Sequence, residues 1–191
     1  MNKIAIDLDG VVFDSENLYR VYTEIYDTDI IKKESLIDNT QRIFQKRYNW
    51  PEDTFQKFYQ EYSKEILTKS NIMTGADIIL PKLKKEFELI IVTSRSDEEI
   101  AYSKNDLEKI GLSDIKIFNN EHNKIDRFLK ENVSFIIDDD EHTCITASQN
   151  NIKALYFKNN ASTVLTENEY LKVVNNWGEI YKYLNFNILL T

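Results

Sequence analysis

The chain is poor in the residues that staple or punctuate a fold. Cys144 is its one cysteine, so an intramolecular disulfide is excluded and no cysteine cluster offers a zinc site. A small packed core residue is expected there rather than a reactive thiol. The two histidines, His122 and His142, stand apart from any His-Glu-x-x-His or His/Cys ligand spacing and are expected at the surface. With two prolines and four glycines, the chain has no flexible linker or low-complexity tract. No apolar run approaches the length of a membrane span, and Asp7 stands where a signal peptide would continue its apolar stretch, so a soluble cytoplasmic protein is expected. Positive charge is scarce as well. The 24 basic against 32 acidic side chains leave a formal charge of −8, the wrong sign for coating a nucleic-acid polymer, while small phosphorylated substrates stay compatible.

What is present is a globular composition, 42% hydrophobic over 191 residues, enough to bury a core without staples. Short apolar runs alternate with longer amphipathic ones, the pattern of an α/β fold with a doubly wound, mostly parallel sheet. The strand candidates are Lys3 to Ile6, Leu89 to Val92, Ile115 to Phe118, Phe135 to Ile137 and Ala154 to Phe157. Between the last four, crossover helices are predicted over Glu98 to Ile110, Ile125 to Lys130 and His142 to Gln149. Ser96 with Glu99 forms a capping box for the first of these, and Gly111 is its natural stop. From about Leu18 to Ser70 the rhythm breaks. Helical spacing in Tyr19, Tyr22 and Tyr26, and again in Phe55, Phe58, Tyr59 and Tyr62, predicts a small helical insert after the first strand, with Pro51 in the first turn of its last helix. The expected division is an α/β core of residues 1–17 and 71–191 and a helical cap of 18–70. A further helix begins at Thr74-Gly75-Ala76 and runs toward Lys85, with a kink or early end at Pro81.

The sharpest chemical signal is Asp7-Leu8-Asp9-Gly10-Val11-Val12-Phe13-Asp14, at the carboxyl end of the first strand, where open α/β sheets bind ligands. Residues two apart on an extended backbone share a side, so Asp7 and Asp9 converge while Leu8 turns into the core. Gly10 lets the chain leave the strand sharply. Two such carboxylates resist joint ionisation unless a cation sits between them, and hard oxygen ligands suit Mg²⁺. The alternative is a solvated acidic corner. A second acidic run, Asp138-Asp139-Asp140, follows another buried strand; Asp138 or Asp139 is a metal-ligand candidate and Asp140 is expected in an exposed turn. Thr93, Ser94 and Arg95 end the second strand just before a helix amino terminus, a place that attracts anions. Lys124 opens the helix before the Asp138 strand, with Lys104 and Lys116 as competitors for the same role. The aromatic stripes are expected mainly to pack as core, though some rings are placed to stack a nucleobase.

The order Asp7, Thr93, Lys124, Asp138 resembles the haloacid dehalogenase-like hydrolase superfamily over Met1 to Asp14 and Thr74 to about Phe157. The resemblance implies a Rossmann-like core with a helical cap and a Mg²⁺-dependent phosphomonoesterase. Asp7 would be the nucleophile that becomes an aspartyl phosphate, and Asp9 the acid and base. Thr93 and Lys124 would bind phosphate within a substrate-binding set of Gly10, Thr93, Ser94, Arg95 and Lys124. Asp7, the Asp9 carbonyl and Asp138 or Asp139 would hold the metal. The short core, the Asp138-Asp139 pair and Asn176-Trp177-Gly178-Glu179-Ile180 look like the 5'(3')-deoxyribonucleotidase-like group, which makes a nucleoside monophosphate the expected substrate. Ser15, where that group commonly carries an aromatic residue, and Asp14-Ser15-Glu16 look instead like the phosphoglycolate and sugar-phosphate branch, although that branch's Gly-Asp-rich fourth motif is absent. A receiver-like phosphoacceptor, or a binding protein on a retired phosphatase fold, is the alternative from another class.

Overall fold

A computed structural model describes residues 1–158 and 164–188; parts of the expected core range, 159–163 and 189–191, lie outside it. Six parallel strands form one sheet in the order β3-β2-β1-β4-β5-β6. They are β1 (Lys3–Ile6), β2 (Glu88–Val92), β3 (Lys116–Phe118), β4 (Phe135–Asp138), β5 (Lys153–Phe157) and β6 (Leu171–Val174). The first five fall on the predicted runs within a residue. The sixth, with a helix α8 (Trp177–Ile188) after it, was not foreseen.

Alternation along the strands sends side chains to two separate cores. Ile4, Ile6, Leu89, Ile91, Ile137 and Leu155 meet α4 (Ala76–Leu83), α5 (Asp97–Lys109) and α8 on one face. Ala5, Ile90, Val92, Ile136 and Tyr156 meet α6 (Lys124–Lys130) and α7 (Glu141–Gln149) on the other. Cys144 is fully buried in this second core, as its type suggested. α5 carries both halves of the capping box, Glu99 N–H on Ser96 Oγ at 3.3 Å and Ser96 N–H on Glu99 Oε2 at 2.8 Å, and Gly111 beyond it adopts φ +77°. α4 passes through Pro81 and ends at Leu83, two residues short of Lys85.

The segment between β1 and α4 holds α1 (Ser15–Tyr26), a π-helical turn (Asp27–Ile31), α2 (Phe44–Arg47) and α3 (Glu52–Lys69). Pro51 stands one residue before α3, at its N-cap, and leaves the helix no unsatisfied N–H of its own to place. Tyr26, Tyr48, Trp50, Phe55, Phe58 and Ile66 form a third core inside this segment. Its rings interlock, Tyr48 on Trp50 at 4.6 Å and Tyr26 against Phe58 at 5.4 Å, and Trp50 donates to buried Asp27 at 2.7 Å. The two ends of the segment run side by side, since Met73 N–H bonds Val12 O and Asp14 N–H bonds Asn71 O. Among the described residues no helix is long and apolar enough to cross a membrane.

Candidate functional site

In this strand order the crossovers diverge between β1 and β4, and ligands of open α/β sheets bind at the carboxyl ends of such a pair. Asp7 follows β1 there, its N–H on Ile137 O of β4 at 3.0 Å. The chain then folds back on itself. Val12 and Phe13 both donate to Leu8 O at 2.9 Å, and Gly10 donates to Phe13 O at 2.8 Å from φ +74°, a conformation that side chains disfavour. Leu8 is fully buried, as alternation predicts, and Asp9 stands half-buried at the rim. Behind the loop, fully buried Trp177 donates its indole N–H to Val11 O at 3.0 Å. The unforeseen α8 therefore holds the acidic loop from its far side.

Lys124, first residue of α6, extends its ammonium between Asp7 Oδ1 at 2.9 Å and Asp138 Oδ2 at 2.8 Å. Lys104 and Lys116 are exposed, and Lys116 faces Glu131 instead. One carboxylate oxygen from each of Asp7, Asp138 and Asp139 lies within 4.8 Å of the others, and all three residues are buried. Three carboxylates against the Lys124 ammonium and one guanidinium, Arg42 at 3.4 Å from Asp139, leave the cluster short of positive charge. Burial, with Asp138 and Asp9 adding repulsion, raises the Asp7 carboxyl well above its ordinary value despite Lys124. Burial likewise lifts Asp139, with Asp7 and Asp138 adding to it and Arg42 opposing. Burial alone would lower the Lys124 ammonium, yet Asp138 and Asp7 outweigh it and hold the proton on. Hard oxygen donors, buried and under-compensated, fit a small divalent cation such as Mg²⁺. Asp138 and Asp139 both belong to this cluster, whereas Asp140 is no idle turn residue. It caps α7, accepting from Thr143 N–H at 2.8 Å, and pairs with Arg42.

Thr93 lies buried at the end of β2, its N–H on Phe118 O and its hydroxyl accepting from Arg95 N–H at 3.3 Å. Ser94 is exposed toward the same rim. Arg95, expected to add bonds to a phosphate, is paired within the protein. The guanidinium is 3% exposed and grips Asp9 with two bonds, Nε to Oδ2 at 2.8 Å and Nη2 to Oδ1 at 2.7 Å, while Nη1 donates to Ser103. The two parallel bonds hold the Asp9 carboxylate in one orientation. Burial would raise the Asp9 carboxyl, but Arg95 and then Ser15 outweigh that and hold it below its ordinary value.

Above the rim lies a chamber of about 280 Å³, near the small end of ligand cavities. Asp9, Ser94 and Asp139 form its floor, and Tyr19, Phe44 and Tyr59 belong to its helical side. Tyr19 stacks on Phe44 at 6.0 Å and 11°. Tyr59 crosses to α5 and donates to Glu99 Oε1 at 2.7 Å. Arg42, in the loop before α2, reaches Asp140 Oδ2 at 2.7 Å and Asp139 Oδ2 at 3.4 Å. Sequence reasoning passed over Arg42, since it stands in no motif and no periodic stretch, and only tertiary folding brings it to the acidic run. His122 and His142 are exposed and take no part. A larger cavity, about 590 Å³ between β6 and α8, is lined by Glu179 of the closing Asn-Trp-Gly-Glu-Ile stretch but by none of the acidic-loop residues, Thr93 or Lys124.

No protein-family model matches the sequence, and no curated protein is significantly similar to it. Solved structures do match. A predicted phosphatase from Clostridium acetobutylicum is 20% identical with a TM-score of 0.68, covering 97% of this chain and 98% of that one. A haloacid dehalogenase-like family hydrolase from Streptococcus pneumoniae is 16% identical with a TM-score of 0.70, covering 96% and 98%. A candidate beta-phosphoglucomutase from Thermotoga maritima is 16% identical with a TM-score of 0.59, covering 97% and 99%. The likeness is one of fold, and the chain has the α/β haloacid dehalogenase-like fold of these structures.

Proposed function

We propose that the chain is a Mg²⁺-dependent phosphomonoesterase acting on a small phosphorylated metabolite. The observation that carries this reading is the single ammonium of Lys124 bridging Asp7 and Asp138 at the divergence of the sheet, with an oxygen of Asp139 in the same cluster. An Asp7 carboxylate oxygen attacks phosphorus, the ester oxygen leaves with the bonding pair, and water then attacks the aspartyl phosphate to return the carboxylate and release inorganic phosphate. Lys124 orients the Asp7 carboxylate and offsets charge on the phosphoryl oxygens. Gly10 and Ser94, which line the chamber, and Thr93, buried directly before Ser94, would bind that group. Asp7, Asp138, Asp139 and the Asp9 carbonyl would hold Mg²⁺, which when bound offsets negative charge between nucleophile and phosphate.

Asp9 acts on the proton. Held ionised by Arg95, it is in the state that takes a proton from the attacking water. Protonating the leaving alcohol requires it first to be released from the Arg95 fork.

For the leaving group, a compact polar alcohol such as a sugar is favoured over a nucleoside. Ser15 is buried beside Asp9, so no aromatic platform stands there, and the Tyr19 ring is already stacked on Phe44. The fold likeness to a candidate beta-phosphoglucomutase agrees with this preference. The test is hydrolysis of sugar phosphates, nucleoside monophosphates and an aryl phosphate, each with and without Mg²⁺, by wild type and Asp7→Asn. Mg²⁺-dependent turnover that is lost in Asp7→Asn is expected, with sugar phosphates ahead of nucleotides. Wild-type turnover in Asp7→Asn overturns the mechanism; nucleotides ahead of sugars overturns the substrate preference alone.

A further inference from the structure

The loop that carries Arg42 is more firmly built than its exposure suggests. Arg20 on α1 donates to Asn39 O at 2.6 Å and to Gln41 O at 3.1 Å. Arg47, 1% exposed, donates to Gln41 O at 3.3 Å and to Arg42 O at 3.5 Å, and faces Glu16 at 3.4 Å. Asp38 closes the start of the loop by accepting from Thr40 N–H and from the Gln41 amide. Two guanidiniums thus spend their donors on main-chain carbonyls of a short loop and fix the backbone that delivers a third.

Arg42 spends its own fork unequally. Nη2 sits at 2.7 Å from Asp140, which also caps α7, whereas Nη1 stands at 3.4 Å from Asp139. Asp140 therefore anchors the guanidinium, and the contact with Asp139 is the looser one. Asp139 is 4% exposed and, among the described residues, Arg42 is the one cation within ion-pair distance of it. Lys124 is committed to Asp7 and Asp138.

We propose that Arg42 is an insert-borne positioning residue that acts as stand-in counter-ion for Asp139, handing that carboxylate over when a divalent cation binds at Asp7, Asp138 and Asp139. The proposal rests on the metal reading of the site given above. Before the cation arrives, the guanidinium offsets the buried charge of Asp139, since an unpaired carboxylate is costly there. Once a divalent ion takes the Asp139 oxygen, the same guanidinium adds repulsion toward that ion and keeps only its Asp140 anchor. Binding of the cation and the Arg42–Asp139 contact then oppose each other, and the opposition is reciprocal by linkage.

The experiment titrates Mg²⁺ into the metal-free full chain by calorimetry for wild type, Arg42→Gln, Arg42→Lys and Lys46→Gln, and measures thermal unfolding of each in chelator and in saturating Mg²⁺. Lys46 lines the same cleft beside Asp140 and controls for charge alone. Arg42→Gln is expected to bind Mg²⁺ about five- to tenfold more tightly than wild type. It should unfold at lower temperature than wild type in chelator, with the gap narrowing in Mg²⁺. Lys46→Gln should stay within about twofold of wild type, since an exposed charge outside direct contact is screened. Arg42→Lys, which keeps the charge but not the fork, should fall between. Equal or weaker Mg²⁺ binding by Arg42→Gln, or an equal gain in Lys46→Gln, overturns the hand-over while leaving the metal reading intact. Absence of Mg²⁺ binding by wild type ends both. If Arg42→Gln does not fold, wild-type affinity in Arg42→Lys overturns the proposal by itself.

Discussion

The rim of the sheet and the helical segment above it face the same chamber with very different degrees of commitment. Asp7, Lys124 and Asp138 are 8%, 9% and 1% exposed, and the Lys124 ammonium at the start of α6 lies within hydrogen-bond reach of both carboxylates, which stand at the exits of the adjacent strands β1 and β4. The segment contributes Tyr59, which is 41% exposed, and Arg42, whose guanidinium holds two acidic side chains of the rim. Among the described residues Lys124 pairs with Asp7 and Asp138 and with no other carboxylate. Tyr59 crosses to the core through an exposed polar contact, which solvent can replace at modest cost, and Arg42 through the looser 3.4 Å contact with Asp139. The difference separates a rigid floor suited to bond-making from an adjustable roof suited to choosing what enters.

If that separation is real, the largest effects come from the floor. Lys124→Met removes the one ammonium from between two buried carboxylates. The metal-free protein should lose about 3 to 5 kcal/mol in chemical denaturation, and phosphatase turnover should fall with it. A loss confined to turnover, with stability unchanged, would mean the carboxylates are wetter than their burial implies. Asp9→Asn should lower turnover by about 10² to 10⁴. An aryl phosphate, whose leaving group needs little help, should still phosphorylate Asp7 in this variant, so acid-quenched protein should retain phosphate label that wild type sheds.

The floor also predicts a pH dependence for the metal-free protein. The Asp7 carboxyl rises from its ordinary 3.8 to about 7 in the folded state, with burial as the first cause. Between those values the folded chain keeps a proton that the unfolded chain has released, so this group's contribution to stability is full at low pH and declines as pH rises toward 7. Denaturation of wild type and Asp7→Asn in chelator between pH 4 and about 8 should show a smaller decline in the variant. Parallel curves would remove Asp7 as the source.

How far the sequence foretold this floor follows from how each feature is specified. Five strands are apolar runs bounded by turn residues, and buried parallel strands look like that whatever surrounds them. β6 escaped because Leu171–Val174 is a four-residue edge strand with a half-buried middle, Lys172 and Val173, and its identity as a strand depends on β5 lying beside it. Asp7, Thr93, Lys124 and Asp138 could be picked out because each stands at a strand exit or helix start, positions that local pattern marks. Arg95 illustrates the limit: its place at the rim was readable, but its partner Asp9 lies 86 residues away, and only the folded geometry shows the bidentate pair. Arg42 had no local mark at all. It acts across 97 residues from Asp139, in a loop without periodicity.

The smallest effect should come from the roof, and it is the one best able to undo the contrast. Tyr59→Phe deletes the 2.7 Å bond to Glu99 and the hydroxyl hydrogen bond with Tyr19, and leaves the ring in place. Glu99 retains Ser96 N–H at 2.8 Å, so no buried carboxylate is stranded, and the stability loss should stay at about 1 to 3 kcal/mol or below, the net worth of two hydrogen bonds. If the roof only selects, part of that free energy should appear in KM for the preferred substrate, a rise of about two- to tenfold, while turnover at saturation stays near wild type. A bulky aryl phosphate should show the smaller change, because it gains less from a polar roof. Should saturating turnover instead drop as far as it does in Asp9→Asn, the roof would be part of the bond-making machinery, and the division between a committed rim and an adjustable insert would fail at the contact that most directly joins them.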